Sequence, residues 1–399
     1  MKEPSLEIWR PYVEGRHYVW LLAPPWDDVP TRQNHFARRL ARLGASVLYV
    51  ENPPALSSVV KQRRWNQLPL RLAPRVREVE PGLRVMSLAG AIPGMRQSES
   101  IAAWNGRQIA RQVNQWLRER GAPPFTCWCR VPACIHALRH LDPAFTVYDV
   151  TDDYELYEPD VKARARVHER ERELIAKSGQ VFITAEPLRQ KPAIAAANPM
   201  LAPNGVEAGL FAQATDGGPI HPSLRGIEKP IIGYVGLTSH WMDFELLEML
   251  GRRWPGQVVM AGPIAAQVEA RARAIPGIIW AGFVPQPELP PYLRAFAVSI
   301  MPHLVNELRR RSNPLKICEY LAMGKPFVSV DLPALQPYRE VVDIALDRDD
   351  FLRRVAANLH APPDPAMTDR RRALAQAFSW DRIFEGILQQ LHPPLRAVA

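Results

Sequence analysis

NPLKICEYLAMGKPFVSVD, residues 313–331, opens a short helix with Asn-Pro and runs through Gly-Lys-Pro into an apolar strand. Pro314 suits a first helical turn, whose N–H groups lack intrahelical partners in any case. Leu315 and Lys316 follow, and Lys316 adds a full positive charge where the aligned peptide dipoles already favour an anion. Glu319 falls three residues on, along the same helix face. A helix that only packs needs neither the basic entry nor the carboxylate. A helix that turns its start to a phosphate and a side chain to a sugar hydroxyl uses both. The same two residues also suit an ordinary surface ion pair, so the neighbouring segments have to decide.

Those segments alternate strand and helix. Around the opening stretch, apolar strands are expected at PIIGYVG, QVVMAGP, IIWAGF, AVSIMP, PFVSVD and VDIALD. Helices are expected between and after them at FELLEMLGRRW, AQVEARARA, ELPPYLRAF, PLKICEYLAM, ALQPYREV and DFLRRVAANL. Short β-branched strands separated by amphipathic helices predict a parallel, doubly wound sheet. The first half follows the same rhythm. Strands are expected at 17–23, 45–52, 83–88, 125–131, 145–150 and 180–185, with helices at 34–44, 99–121 and 161–179. A chain of 399 residues exceeds one typical core, so two domains are expected. The Gly- and Pro-rich stretch 204–230 joins them. The expected division is 1–205, 206–375, and a tail, 376–399, whose helix DRIFEGILQQL returns to the first domain. Two Rossmann-like sheets facing across a cleft place their strand-end loops around one ligand.

Three strand-end loops of the second half point to that ligand. In GYVGLTSHWMD, Gly236 lets the backbone approach a phosphate, and the N–H groups of Leu237 and Thr238 follow it. Tight-turn geometry accounts for this glycine equally well. GPI places Gly262 on the same rim, and GFVPQPELPPYL adds a third loop. Just upstream of the opening stretch, NELRRRS carries Glu307, Arg309, Arg310 and Arg311, with Asn313 next. A charge run is usually a solvated face. Close to a diphosphate, however, a planar guanidinium makes the two-point contact that a lysine cannot; Arg309 and Arg311 are the candidates. Neither half has GxGxxG after its first strand, which argues against a nicotinamide enzyme.

Read in order, NGVEAGLF, GYVGLTSHWMDFELL, AGPI, GFVPQPELPPYL, SIMPHL and PLKICEYLAMGKPFVS resemble the GT-B glycosyltransferases. Among these they are most similar to the group-1-type enzymes of bacterial cell-surface polysaccharide synthesis, teichuronic acid and exopolysaccharide glycosyltransferases included. The resemblance implies a nucleotide-sugar donor in the second domain, with Glu319 on the ribose and Lys316 at the diphosphate. It implies transfer of a sugar, from a UDP-sugar first, to a saccharide acceptor that is lipid-linked. The alternatives are a sugar-nucleotide epimerase on the same architecture and an inactive nucleotide-sugar-binding subunit. Many retaining members carry a second glutamate eight positions before the ribose-binding one, and here Arg311 stands there; Glu307 lies farther upstream.

The first half supplies acids. VYDVTDDYELY ends a strand with Asp149, Asp152 and Asp153, and an inverting transfer needs a base for the acceptor hydroxyl. Asp152 is the first candidate and Asp153 the second, although Asp also caps helices well. Arg32 and His35, after the first strand, are assigned to the acceptor side, with helix packing as the alternative for the histidine. DVTDD is not a clean DxD, and no metal or other cofactor is expected, because cations near the diphosphate can stabilise the leaving group.

Composition sets the remaining bounds. Hydrophobic residues at 47% and charged residues at 23% suit a soluble globular chain. Cys127, Cys129 and Cys134 lack zinc spacing, and with Cys318 they read as buried free thiols of a reducing compartment. The net charge of +9 comes with no nucleic-acid motif. The start, MKEPSLEIWRPYVEGRH, is polar and no apolar run reaches membrane-spanning length, so a cytoplasmic location is expected. VVKQRRWNQLPLRLAPRVREV, 59–79, interleaves arginines with Trp65 and leucines, which suits peripheral attachment to an anionic bilayer and equally an irregular connection.

Overall fold

The computed structural model describes residues 5–52, 74–90, 92, 95, 98–212 and 218–392. The chain divides into two compact units. One gathers Pro4–Ala202 with Phe384 onwards, and the other holds Pro203–Ile383.

The first unit is built on strands β1 (His17–Ala23), β2 (Ser46–Glu51), β3 (Arg75–Glu80), β4 (Leu83–Ser87), β5 (Phe125–Cys129), β6 (Phe145–Val150), β7 (Gln180–Ile183) and β8 (Met200–Leu201). They lie in the order β3-β4-β2-β1-β5-β6-β7-β8. All neighbours are parallel except the antiparallel pair β3 and β4. Trp20 and Trp128 are register partners across β1 and β5, and their rings stack at 4.7 Å. Such a pair adds about 1 kcal/mol beyond the area it buries. The helix Arg32–Arg42 follows β1 and packs Phe36 against Phe384 of the last helix, with ring centroids 5.4 Å apart. Phe384, Ile387 and Leu388 are fully buried there.

The second unit holds β9 (Ile231–Val235), β10 (Val258–Ala261), β11 (Ile278–Gly282), β12 (Phe296–Met301), β13 (Phe327–Val330) and β14 (Asp343–Ala345). All are parallel, in the order β11-β10-β9-β12-β13-β14. Helices cover both faces, so β9 is buried at every position, as a strand inside a parallel sheet should be. In each sheet the strand order reverses beside the first strand: between β1 and β5, and between β9 and β12. Ligands of doubly wound sheets bind outside the strand C-termini at that reversal.

Several sequence expectations need correction. The opening helix starts at Lys316, with Leu315 at its N-cap, so Pro314 precedes the helix instead of lying in its first turn. ALQPYREV forms a 3-10 turn, Pro333–Tyr338, because Pro337 cannot donate to an α-helical ladder. The helix Pro365–Ala377 was not expected, and neither were β3 and β8. Residues 59–73 of the basic stretch lie outside the described residues, and Arg75–Glu80 from its end forms the edge strand β3.

Candidate functional site

Two glycines shape the rim of the second sheet. Gly236 follows β9 with φ +140° and Gly262 follows β10 with φ +138°, a region that favours glycine. A Cβ on Gly262 would lie 2.2 Å from the carbonyl oxygen of Gly236, so the two strand-end loops touch through backbone alone. They are also bonded to each other. The Gly236 N–H donates to Ala261 O (2.8 Å), Thr238 N–H to Pro263 O (2.9 Å) and Ala265 N–H to Thr238 O (2.9 Å). This revises one expectation: the Thr238 N–H is occupied inside the protein, and its side chain is buried. Leu237 keeps an exposed side chain on the rim. Gly262→Ala is expected to lower stability by about 2 kcal/mol, from the backbone clash together with the unfavourable φ. A urea midpoint unchanged from wild type would contradict the contact.

Lys316 reaches across to this loop. A Cβ on Gly236 would lie 3.0 Å from Lys316 Cε and 3.2 Å from Nζ, and Nζ sits 5.1 Å from the Tyr234 ring centroid. The helix carrying it is fixed to the strand end by Tyr320, whose hydroxyl accepts the Val235 N–H at 2.9 Å. Among the described residues the Lys316 ammonium has no hydrogen bond or carboxylate within ion-pair distance. Burial, and then the charge of Arg309, bring its pKa down to about 8. Glu319 lies one turn along, half-buried, its carboxylate also without a hydrogen bond or ion pair among the described residues. Burial pushes its pKa up, while Lys316 opposes that shift.

Arg309 completes a basic group. It is buried, its guanidinium lies 5.1 Å over the Trp241 ring, and its Nε has no hydrogen-bond partner. Arg311 instead pairs with Glu307 at 3.4 Å. Asn313 contributes its backbone oxygen to Asn204 Nδ2 at 2.6 Å. Pro314 is buried and its carbonyl accepts the Ile317 N–H at 3.3 Å; with Leu315 it shapes the turn into the helix. His303 was not singled out from the sequence. It follows β12 at the strand reversal, is buried, and sets Nε2 3.4 Å from the Tyr234 hydroxyl. Burial, then Lys316 and Arg309, hold its pKa well below the usual range. The sequence signal for it was the strand end SIMPHL. The second sheet therefore brings Gly236, Gly262, Arg309, Lys316 and Glu319 to one rim, with His303 and Tyr234 beneath.

The acids of the first unit separate into different roles. Asp149 is fully buried and receives Arg32 Nε at 2.9 Å, while Arg32 Nη1 donates to Ala202 O at 2.8 Å. Arg32 and His35 are themselves buried. Asp153 caps the turn Tyr154–Tyr157 through the Glu155 N–H and is ion-paired with Lys191 at 3.1 Å. Lys191 also binds Glu155 at 2.8 Å and the buried Glu171. Asp149, Arg32 and Asp153 are thus tied into the body of the unit, and His35 is packed within it. Only Asp152 of the three acids is half-buried. It lies within electrostatic reach of Arg130, which directly follows β5 and which the sequence reading missed.

Residues 229–358 match the family described as Glycosyl transferases group 1. The chain is 27% identical over 197 residues to TuaH of Bacillus subtilis (strain 168), named as a teichuronic acid biosynthesis glycosyltransferase. That match covers 47% of this chain and 49% of TuaH, so the chain spans about half the length of the curated relative it matches. Among solved structures, sucrose-phosphate synthase from Thermosynechococcus elongatus superposes with a TM-score of 0.72 at 17% identity, covering 97% of this chain and all of that one. Anabaena Alr3699/HepE in complex with UDP gives 0.59 at 13% identity, covering 95% of this chain and all of that one. The fold is GT-B, and residues 229–358 match the group 1 glycosyltransferase family, the one that the sequence resembles.

Proposed function

We propose that the chain transfers a sugar from a nucleotide diphosphate donor, a UDP-sugar first, to a saccharide acceptor. The observation that carries this reading is the ammonium of Lys316 beside Gly236, with the carboxylate of Glu319 one helical turn away, both at the strand reversal of the second sheet. A diphosphate would complete the charge of Lys316 and Arg309. The ribose hydroxyls would donate to Glu319, which has acceptor capacity and no protein donor among the described residues. As the sugar departs, negative charge grows on the diphosphate, and cations already in place stabilise it without reorganisation. Asp152 is the proposed base for the acceptor hydroxyl, and no metal is assigned a role.

The acceptor is proposed to be lipid-linked, in cell-surface or exopolysaccharide synthesis, a reading supported by the likeness to TuaH. No helix among the described residues is long and apolar enough to cross a membrane. The proposed location is the cytoplasmic side, with peripheral attachment through 59–79; no sedimentation with anionic vesicles at low salt would remove the attachment.

A nucleotide-sugar panel tests the activity. UDP and a UDP-sugar are expected to raise the melting temperature, since a ligand that binds only the folded state stabilises it. Release of UDP is expected to depend on added saccharide acceptor. Release without acceptor, together with an altered sugar, would identify an epimerase instead. Nucleotide binding with no turnover against any acceptor would favour a binding subunit.

A further inference from the structure

The first sheet has its own strand reversal, between β1 and β5, and the residue that leaves β5 there is Arg130. Its Nε is buried and has no hydrogen-bond partner. Its only hydrogen bond among the described residues is a long one, from Nη1 to the Tyr154 hydroxyl at 3.5 Å. No carboxylate among those residues comes within 4.0 Å of the guanidinium. Asp152 lies within electrostatic reach of it, and so do the hydroxyls of Tyr49 and Tyr154 and the Cys134 thiol. The Tyr49 hydroxyl, reached from β2, is also buried and without a partner. Glu51 of the same strand is engaged elsewhere: it accepts the Trp26 N–H at 2.9 Å and the Ser87 hydroxyl at 2.7 Å.

A half-buried guanidinium whose Nε is buried and unpartnered, with no bridging carboxylate, is costly unless something supplies the missing acceptors. Two hydroxyls beside it, one of them unpartnered, add donors and no charge. A neutral sugar would leave the cation uncompensated, whereas an oxyanion can take the planar guanidinium at two points and a tyrosine hydroxyl at a third. A purely structural role as counter-ion to Asp152 would put the pair within bridging distance, and it is not.

We propose that Arg130, with Tyr49 and Tyr154 beside it, binds an oxyanion carried by the acceptor, a phosphate or a carboxylate. The word acceptor rests on the glycosyltransferase reading, but the anion site does not. Asp152 repels a second negative charge close by, so the anionic group lies on the Arg130 side, leaving Asp152 to face a hydroxyl of the same molecule.

The test uses the full chain with four probes, namely inorganic phosphate, glucose 6-phosphate, glucuronate and glucose, followed by calorimetry and thermal shift. The wild type is expected to bind at least one of the three anions, and glucose alone far more weakly. Binding to glucose 6-phosphate or phosphate identifies a phosphate ligand; binding to glucuronate identifies a carboxylate. Arg130→Gln is expected to weaken the anion about tenfold or more, and Arg130→Lys less, because it keeps charge without the two-point geometry. Lys316→Ala, which removes the cation of the donor rim, is expected to leave the anion affinity in place. The UDP shift serves as a fold control for both Arg130 variants and reports separately on the donor reading. The proposal is overturned if no anion binds the wild type, if Arg130→Gln binds it as tightly, or if Lys316→Ala abolishes the binding.

Discussion

Lys316→Ala is expected to weaken UDP binding about a hundredfold, near 3 kcal/mol, the scale for removing one partner of a partly desolvated charge pair. The variant should fold as well as the wild type or better. Desolvation has lowered the pKa of this lysine to about 8, which means that the folded chain holds the proton less tightly than the unfolded chain does. At neutral pH the group therefore opposes folding, and removing it relieves that penalty. The same shift gives a pH signature with two opposite trends. Between about 8 and the ordinary value of 10.5 the unfolded chain carries more protons, so the contribution of this group to stability rises with pH. UDP affinity should fall in that window, about tenfold per unit once the ammonium of the free protein is lost. His303 stays neutral throughout and adds nothing to the profile, because its pKa is already far below the range. Calorimetric titration from pH 7 to 9.5 measures the effect. Lys316→Arg should flatten the profile, since a guanidinium remains charged. Equal UDP affinity in Lys316→Ala and wild type would remove the lysine from the site.

Asp149→Ala is expected to cost about 3–5 kcal/mol of stability, because it removes the carboxylate that the buried Arg32 Nε meets at 2.9 Å. Both partners are essentially inaccessible, at 2% and 0% side-chain exposure, so water cannot compensate. Replacing both, Arg32→Met with Asp149→Leu, should recover most of the loss, since apolar side chains of similar volume often substitute for a buried pair without penalty. Urea denaturation of the three variants measures this. A loss below about 1 kcal/mol in the single variant would mean that the pair is dispensable and would reopen Asp149 as a candidate base. Asp152→Asn, by contrast, is expected to reduce transfer.

The three acids show where sequence reading stops. Asp149, Asp152 and Asp153 are chemically alike and close in the chain, and the pattern VYDVTDDYELY marks all of them equally. Their fates are set by partners far along the chain: Arg32 for Asp149, Lys191 for Asp153, and Arg130 in the neighbourhood of Asp152. Only the capping alternative for one of them could be read locally, and Asp153 fulfils it. Arg130 itself was invisible for the same reason, since its position at a strand reversal depends on which strands are neighbours.

The second unit was more legible because its signals are local. Strands such as IIGYV and VVMA are apolar and buried throughout, as strands covered on both faces must be. Lys316 and Glu319 share a helix face through spacing alone. The contact between Lys316 and Gly236 was not legible, because it requires β9 to lie beside β12. The edge strand β3 was missed because RVREVE sets Val76 and Val79 three apart among four charges, without the period-two pattern of a half-buried strand, although such charge suits an edge. The helix Pro365–Ala377 was missed because its apolar residues are mostly alanines, and Ala375 is the one of them that is buried.

The most direct measurement is a crystal structure of the full chain with UDP. The diphosphate is expected within hydrogen-bond reach of Lys316 Nζ, against the Gly236 backbone, with both ribose hydroxyls on the Glu319 carboxylate. A nucleotide bound away from that rim, or a Glu319 carboxylate turned from the ribose, would contradict the account.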